Sequence, residues 1–295
     1  MLLKKRVLVC GDRGLLGGLW CTERDGIDHV IRASHIGISG IQVSSKPDPV
    51  DWIRRAIERN TIDIIVNCCG LTDVEQCERD NELAELLNIS FPQILAMAAR
   101  SSGCRLVHIS TDHLFNKLIG ERMMTEEDVV CPVNYYAKTK YKGELAVLEN
   151  YPQKSLVVRT NFLGRSVSQK PSYTDWLISR LRRREEVFVA YDVYFNPIHY
   201  ASLINGVESL LLNDCSGVFN IASDDYSSKY QFACQLESMM YGSMEESIIR
   251  PICLDETNMR RPRNMILSNQ KFRSVTGGEL GALSDQLSIL ANDYS

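Results

Sequence analysis

The chain has 295 residues, which is long enough for a large core built as one α/β unit or as a domain with an added lobe. Its formal net charge of −4 excludes the broad basic field that attracts nucleic acid, and its 44% hydrophobic content is ordinary for a globular protein. The sequence has no run of about 18 apolar residues, the length that a membrane-spanning helix needs. We therefore expect neither nucleic acid nor a membrane among its partners.

Cysteine usage bears on the compartment and on metal binding. The chain has ten cysteines, none in a Cys-x-x-Cys pair and none spaced with histidines as zinc ligands are. Several lie in apolar, strand-like runs, where buried free thiols are common. The first apolar run, residues 7–10, is too short for the core of a secretion signal. These features predict a cytoplasmic protein with reduced thiols and no metal site.

Short β-branched runs alternate with longer amphipathic ones in the first half of the chain. The predicted strands there are residues 7–10, 29–32, 41–43, 62–67, 105–110 and 155–160. The predicted helices there are residues 15–24, 49–59, 81–101 with an interruption near Pro92, and 135–149. The second half is predicted to hold helices at 175–184, 201–212 and 229–241 and strands at 187–189 and 217–221.

This alternation predicts an α/β fold, a Rossmann-type doubly wound parallel sheet with a smaller C-terminal lobe. We expect a nucleotide-binding domain over residues 1–160, to which residues 187–222 return, and a substrate lobe over residues 161–295. The tryptophans are expected in the core or at an interface, and a homodimer is one expected assembly.

A glycine-rich turn joins the first strand to the first helix, as a dinucleotide-binding fingerprint requires. Gly11 would form the tight turn, Gly14 would let the backbone approach a pyrophosphate, and Gly17 would let the helix pack closely on the strand. The helix N-terminus would then face the phosphates. The residues that this motif assigns to the cofactor are Gly11, Asp12, Arg13, Gly14, Leu15, Leu16 and Gly17.

The end of the second strand bears on which cofactor is bound. An acidic residue roughly 20 positions after the turn usually binds the ribose 2′-hydroxyl of NAD, but this chain has Arg32-Ala33-Ser34-His35 there. A basic residue accepts a 2′-phosphate, so Arg32, assisted by Arg13, favours NADP (as NADPH) over NAD. A solvated surface arginine is the alternative interpretation of Arg32.

Tyr136 and Lys140 are four residues apart in a predicted helix and therefore share one face. A nearby cation favours the phenolate and draws the phenol pKa from about 10 toward neutrality. The hydroxyl of Thr111, at an upstream strand end, could hold the same carbonyl oxygen. These parts suit an enzyme that moves a hydride at carbon while Tyr136 handles the proton. Alone, the spacing also fits a solvated helix face, and Tyr135 and Tyr141 compete for the role.

Several stretches in a fixed order raise the specificity of this interpretation. They are residues 64–69 with Thr72 and Glu78, Leu87-Asn88, residues 108–115, residues 132–140 with Gly143-Glu144, residues 158–160, and residues 260–264 with Leu267 and Lys271-Phe272. Together they resemble the extended short-chain dehydrogenase/reductases, and within them the dTDP-4-dehydrorhamnose reductase family. That family also contains the regulatory β subunit of methionine adenosyltransferase. The resemblance runs over nearly the whole chain.

The resemblance implies that Thr111, Tyr136 and Lys140 are the catalytic residues. Tyr136 would donate a proton to the C4 carbonyl oxygen of a sugar as NAD(P)H delivers hydride to C4. Lys140 would bind the nicotinamide ribose and lower the pKa of Tyr136, and Thr111 would hydrogen-bond to the reacting oxygen. Further implied cofactor contacts are Cys68, Cys69, Gly70, Asn88 and Ser110, with Asn88 supporting the lysine. Further implied substrate contacts are Thr72, His113, Asn161 and Phe162.

The chain departs from the family pattern at the sugar pocket. His113 stands where the family usually has tyrosine, and Phe162 stands where it has tryptophan. Arg260 and Arg261 would either clamp a nucleotide diphosphate or anchor the C-terminal lobe to the sheet, and Arg261 is the candidate substrate ligand. His108, on an apolar strand, is expected to be a core histidine with satisfied hydrogen bonds.

The expected function is an NAD(P)H-dependent reductase of a nucleotide-linked 4-keto-6-deoxy sugar in deoxysugar biosynthesis, with a nucleotide sugar as its substrate. Two alternatives stay open. One is a non-catalytic, NADP-binding regulatory subunit, which the altered pocket permits. The other is an epimerase or dehydratase of the same superfamily.

Overall fold

The chain forms two compact units. The structure, a computed structural model, describes residues 5–24, 29–116, 123–168, 170–242, 247–257 and 260–294. The first unit contains Met1–Thr111, Asn134–Arg159 and Val207–Phe219, and the second contains Asp112–Val133, Thr160–Gly206 and Asn220–Ser295. Residues 112–133, which the sequence placed in the nucleotide-binding domain, thus belong to the second unit. Of residues 187–222, only 207–219 join the first unit.

Strands and helices alternate along most of the chain. The strands are β1 (Arg6–Cys10), β2 (His29–Arg32), β3 (Ile64–Asn67), β4 (Arg105–Ile109), β5 (Ser155–Arg159), β6 (Phe162–Leu163), β7 (Val187–Ala190), β8 (Tyr194–Phe195), β9 (Ile198–His199), β10 (Gly217–Asn220), β11 (Ser227–Ser228), β12 (Ile249–Ile252) and β13 (Asn264–Met265). The α-helices are α1 (Leu15–Glu23), α2 (Gly40–Ser44), α3 (Pro49–Arg59), α4 (Val74–Arg79), α5 (Asn81–Glu85), α6 (Phe91–Ser102), α7 (Tyr135–Asn150), α8 (Tyr173–Arg183), α9 (Tyr200–Leu212), α10 (Lys229–Tyr241), α11 (Gln270–Thr276) and α12 (Leu283–Asp293). No helix in the described part of the chain is long and apolar enough to cross a membrane.

The first unit is built on a six-stranded sheet in the order β10-β5-β4-β3-β1-β2. Strands β2, β1, β3, β4 and β5 pair in parallel, with Cys10 opposite Asn67 at the carboxyl ends of β1 and β3. The chain passes from β2 on one side of β1 to β3 on the other. In open α/β sheets, ligands bind outside the carboxyl ends of strands at such a reversal. The predicted Rossmann-type fold class is confirmed.

The core of the first unit lies between this sheet and its flanking helices. Leu8, Ile65 and Leu106 from β1, β3 and β4 pack with Ile53 of α3 and Leu95 of α6. Each of these side chains is at most 1% exposed. Burial of one such side chain stabilises the folded state by about 1.5–3 kcal/mol. This packing holds the strand ends, and the loops that follow them, in fixed positions.

Two predicted elements differ in detail from the structure. Residues 41–43, predicted as a strand, lie in α2, because the hydroxyl of Ser39 caps that helix by accepting from the backbone N–H of Gln42 at 3.3 Å. A three-residue apolar run cannot distinguish strand from helix. The predicted helix 81–101 is α5 and α6 joined by a π-helical turn, Leu86–Ser90, and Pro92 lies in the first turn of α6, where proline is tolerated.

The described residues of the second unit form three small sheets. β8 lies between β11 and β13, β12 pairs with β7, and β6 pairs with β9. Its core includes Phe195 of β8, Leu177 of α8 and Phe232 of α10, each at most 2% exposed. The helix predicted at 229–241 begins at a capping box, in which Ser228 and Gln231 each bond to the backbone of the other.

Candidate active site

The glycine-rich turn has the geometry of a dinucleotide loop. Gly11 has a φ of 81°, which favours glycine, and a Cβ there would lie 2.7 Å from the backbone nitrogen of Cys69. A Cβ at Gly17 would overlap the carbonyl oxygen of Gly11, so α1 can pack this closely only with glycine at that position. Gly14 is exposed at the start of α1. Leu15 and Leu16 follow in the first turn of α1, Leu16 buried.

A cavity of about 230 Å³ lies beside this turn, within the first unit. Arg13 and Asp12 are among its lining residues. The buried carboxylate of Asp12 accepts hydrogen bonds from the backbone N–H of Ser34 at 3.0 Å and from its hydroxyl at 2.5 Å. Arg32 is half-buried, with a guanidinium nitrogen 3.5 Å from the carbonyl oxygen of Asp12. Asp12 thus ties the glycine loop to the end of β2, and both predicted arginines are at this end of the sheet.

The end of β3 is fixed by a buried polar pair. Asn67 accepts from the N–H of Cys69 at 3.0 Å, so its amide nitrogen, 3.0 Å from Nδ1 of His108, is the donor in that contact. His108 is therefore neutral and carries its proton on Nε2, and burial lowers its pKa well below the ordinary value. Its Nε2 is buried with no hydrogen-bond partner among the described residues. The expectation that both ring nitrogens of His108 make hydrogen bonds is therefore met at Nδ1 only. Burial raises the pKa of the neighbouring Cys68 and Cys69 thiols.

Asn88 lies in the π-helical turn, fully buried, and connects two parts of the site. Its Oδ1 accepts from the N–H of Leu71 at 2.8 Å, and its Nδ2 donates to the carbonyl oxygen of Leu71 at 3.1 Å and to Thr139 Oγ1 at 3.0 Å. A Cβ at Gly70 would lie 2.9 Å from Asn88 Oδ1 and 3.8 Å from Lys140 Nζ. Asn88, Gly70 and Lys140 therefore meet at one place, with the amide bonded to Thr139, the residue before the lysine.

Helix α7 presents Tyr136 rather than Tyr135 to the interior. Asn134 caps the helix by accepting from the N–H of Ala137 at 2.8 Å, which sets its start. The hydroxyl of Tyr135 donates to Glu85 at 2.7 Å, whereas Tyr136 is 8% exposed within an apolar cluster that includes Leu71.

Lys140 lies one turn further along α7, on the same buried side as Tyr136. It is 4% exposed, and its Nζ donates to the carbonyl oxygen of Ile109 at 2.7 Å, at the carboxyl end of β4. Burial lowers the pKa of Lys140 to about 8, while Glu144 opposes that effect. Ser110 and Thr111, both buried, follow Ile109 directly. The three predicted catalytic residues thus all belong to the first unit, at the end of β4 and the adjoining part of α7.

The second unit contains a cavity of about 340 Å³ that combines aromatic walls with basic groups. Its lining includes Tyr173, Trp176, Phe188, His113, Lys229 and Arg261. Lys229 Nζ lies 4.7 Å from the ring centroid of Tyr173, which stacks on Trp176. Burial, and then the charges of Lys229 and Arg261, lower the pKa of His113 to about 3. His113 is therefore neutral at pH 7.

The remaining predicted substrate residues are divided between the units. Thr72 is exposed in the first unit. Asn161 and Phe162 are half-buried in the second, where Asn161 donates to the buried carboxylate of Asp112 at 2.7 Å. Sequence reasoning identified His113 and Arg261 but missed Lys229, because a single lysine after a helix cap carries no motif.

The Rossmann-type sheet, the glycine turn and the buried Tyr136 and Lys140 of α7 define an NAD(P)-dependent oxidoreductase of the extended short-chain dehydrogenase/reductase type. The family model described as the RmlD substrate binding domain matches residues 5–295. The chain belongs to that family, as its sequence motifs suggested.

Two curated relatives and one solved structure support this family assignment. The chain is 30% identical over 226 residues to dTDP-4-keto-6-deoxy-D-glucose reductase from Streptomyces niveus, a match that covers 76% of each protein. It is 28% identical over 244 residues to dTDP-4-dehydrorhamnose reductase from Escherichia coli K12, covering 78% of each. The crystal structure of dTDP-4-dehydrorhamnose reductase from Bacillus anthracis in complex with NADP has the same fold, with a TM-score of 0.85, 22% identity, and coverage of 99% of this chain and 100% of that one.

Proposed function

We propose that the protein is an NADPH-dependent reductase of a nucleotide-linked 4-keto-6-deoxy sugar, acting in deoxysugar biosynthesis. The observation that carries the proposal is the buried placement of Tyr136 and Lys140 on α7, with Lys140 bonded to the end of β4 two residues before Thr111. The names of the curated relatives support the substrate class.

Each residue of the triad has a distinct role in this reaction. NADPH, when bound, supplies the hydride that C4 of the sugar receives. Tyr136 donates the proton to the C4 oxygen. Protonated Lys140 lowers the free energy of the phenolate that remains, because an opposite charge nearby favours the ionised phenol. Thr111 donates a hydrogen bond to the same oxygen and stabilises the negative charge that develops there.

The residues of the first unit fit a dinucleotide. Glycine at positions 11 and 17 lets the turn and α1 pack closely against neighbouring backbone, and the first amides of α1 can receive a pyrophosphate. The carboxylate of Asp12 is already bonded to Ser34, while Arg13 is exposed on the lining of the 230 Å³ cavity. This arrangement supports a 2′-phosphate contact by Arg13 and Arg32, and hence NADPH over NADH.

The cavity of the second unit fits a nucleoside diphosphate. Tyr173, Trp176 and Phe188 supply aromatic surface for a base, while Lys229 and Arg261 supply positive charge for phosphates. Apolar walls with a few placed polar groups are typical of ligand sites, and 340 Å³ lies within their usual range of about 300–1,000 Å³.

The test mixes purified protein with NADPH or NADH and a panel of dTDP-, GDP- and UDP-linked 4-keto-6-deoxy sugars, and follows nicotinamide absorbance. We expect oxidation of NADPH with at least one sugar, and a preference for NADPH over NADH that falls at least tenfold in Arg13→Ser/Arg32→Ser. Binding of NADPH without oxidation by any sugar would support the regulatory-subunit alternative. Conversion of a sugar without net NADPH consumption would support the epimerase or dehydratase alternative.

A further inference from the structure

A buried ionic cluster adjoins the triad in the first unit and takes no direct part in the proposed transfer of hydride and proton. Glu144 of α7, Arg159 of β5 and Ser110 are 1%, 3% and 6% exposed. Arg159 donates to Glu144 Oε2 through Nη2 at 2.8 Å and to both carboxylate oxygens through Nε at 3.1 Å. The hydroxyl of Ser110 donates to Glu144 Oε1 at 2.5 Å.

This cluster joins the elements that carry the three catalytic residues. Glu144 lies one helical turn beyond Lys140 and two beyond Tyr136. Ser110 directly precedes Thr111, and its backbone N–H donates to the carbonyl oxygen of Val158 at 2.7 Å. The residue before Thr111 is therefore held by its backbone to β5 and by its side chain to α7.

Stability alone does not explain a buried ion pair at this position. The cost of removing two charges from water offsets most of their attraction, and apolar residues of similar volume often stabilise a fold equally well. A charged pair formed between α7, the helix of Tyr136 and Lys140, and the neighbouring β5 therefore indicates a role in the site.

The groups around Lys140 indicate what that role is. Glu144 and Tyr136 face it from α7, Cys68 and Cys69 from the loop after β3, Cys77 from α4 and His108 from β4. The three thiols have raised pKa values, chiefly through burial, and His108 is neutral. Among these described groups, Glu144 therefore supplies the negative charge that opposes the effect of burial on the Lys140 cation.

We infer that Glu144, oriented by Arg159 and Ser110, is a positioning residue that keeps Lys140 protonated and holds Thr111 in register with α7. The inference rests on the proposed reductase, in which protonated Lys140 is the active form. Replacement of Glu144 by glutamine keeps the shape of the side chain but removes its negative charge, so Lys140 should lose its proton at lower pH.

The experiment compares the pH dependence of kcat/KM for NADPH oxidation in four proteins. They are the wild type, Glu144→Gln, the charge-balanced Glu144→Gln/Arg159→Gln, and Glu237→Gln. Glu237 is the matched control, a buried glutamate of the second unit that accepts from the hydroxyl of Ser247 and the N–H of Ile248.

We expect the wild-type kcat/KM to fall on its alkaline side near pH 8, where Lys140 loses its proton. In Glu144→Gln, the same fall should occur about one pH unit lower. Activity would then fall about fivefold at pH 8 and little at pH 6. In the double variant, the alkaline limb should return most of the way to its wild-type position. In Glu237→Gln, the limb should stay where it is in the wild type. A loss of activity that is uniform with pH in Glu144→Gln overturns the inference, because a merely structural role predicts that pattern.

A second readout separates this inference from the proposed function. Lysines are dimethylated with ¹³C, the Lys140 resonance is identified by its absence in Lys140→Arg, and its titration is followed by NMR. If the wild type reduces no sugar, the reductase proposal fails, but a lower titration midpoint of Lys140 in Glu144→Gln still supports the inference. An unchanged midpoint overturns it, whatever the activity.

Discussion

At the scale of single residues, the pairing of Tyr136 with Lys140 could be predicted from the sequence because the two residues are only four positions apart. Residues at i and i+4 share a helix face, and the structure buries both Tyr136 and Lys140 while Tyr135 bonds to Glu85. The place of Lys229 beside Tyr173 and the hydrogen bond between Asp12 and Ser34 could not be predicted, because each depends on segments far apart in the chain.

The proton-donor role of Tyr136 predicts a specific loss in Tyr136→Phe. We expect kcat/KM to fall by a factor of about 10²–10⁴, the usual contribution of a positioned general acid, with NADPH affinity within about threefold of the wild type. Steady-state rates and fluorescence titration of NADPH measure the two quantities. Tyr135→Phe is the matched control and should retain turnover. Full turnover in Tyr136→Phe would show that another group donates the proton.

At the scale of elements, long periodic segments were predicted well and short ones were not. The helix predicted at 229–241 has those bounds, whereas the three-residue run at 41–43 became part of α2. The π-helical turn at Leu86–Ser90 leaves no mark in hydrophobic periodicity, although it places Asn88 between α7 and the loop after β3.

The close contact of α7 with this π-helical turn is tested by Gly143→Ala. A Cβ at Gly143 would overlap the backbone carbonyl oxygen of Asn88. Helix propensity alone predicts stabilisation of about 1 kcal/mol from glycine to alanine, whereas overpacking predicts destabilisation of about 1–3 kcal/mol. We expect destabilisation in urea unfolding. Gly278→Ala, where a Cβ has contacts no shorter than 3.5 Å, should change stability little. Stabilisation by Gly143→Ala would contradict the packing described for these elements.

At the scale of the whole molecule, family membership follows from the order of many short motifs, and the fold agrees with a relative that is only 22% identical. The assignment of residues 112–133 to the second unit could not be predicted, because it depends on contacts made there and not on local pattern. Met124, for example, pairs with Leu267 in an isolated bridge.

The lowered pKa values of two histidines, the half-buried His113 and the buried His108, predict that the folded state is less stable in acid. The pKa of His113 is about 3 in the folded chain against an ordinary 6.5, and the pKa of His108 is also lowered. Between pH 6.5 and 3 the unfolded chain binds protons that the folded chain does not, so stability falls as pH falls, by up to about 1.4 kcal/mol per pH unit for each histidine. Urea unfolding should show a smaller slope in His113→Gln, with exposed His35→Gln as control. An equal slope in His113→Gln and the wild type would argue against a His113 that stays neutral in the folded chain down to low pH.

The proposed hydride transfer to C4 is tested most directly by following a deuterium label. NADPH carrying deuterium at the reactive carbon of its nicotinamide is incubated with the protein and a dTDP-linked 4-keto-6-deoxy sugar, and the product is examined by NMR and mass spectrometry. We expect one deuterium, bound to C4 of the sugar, and at least a hundredfold less label transferred by Tyr136→Phe in the same time. Reduced sugar without deuterium at C4, or a fully retained label in NADPH across the sugar panel, would contradict the proposed hydride transfer.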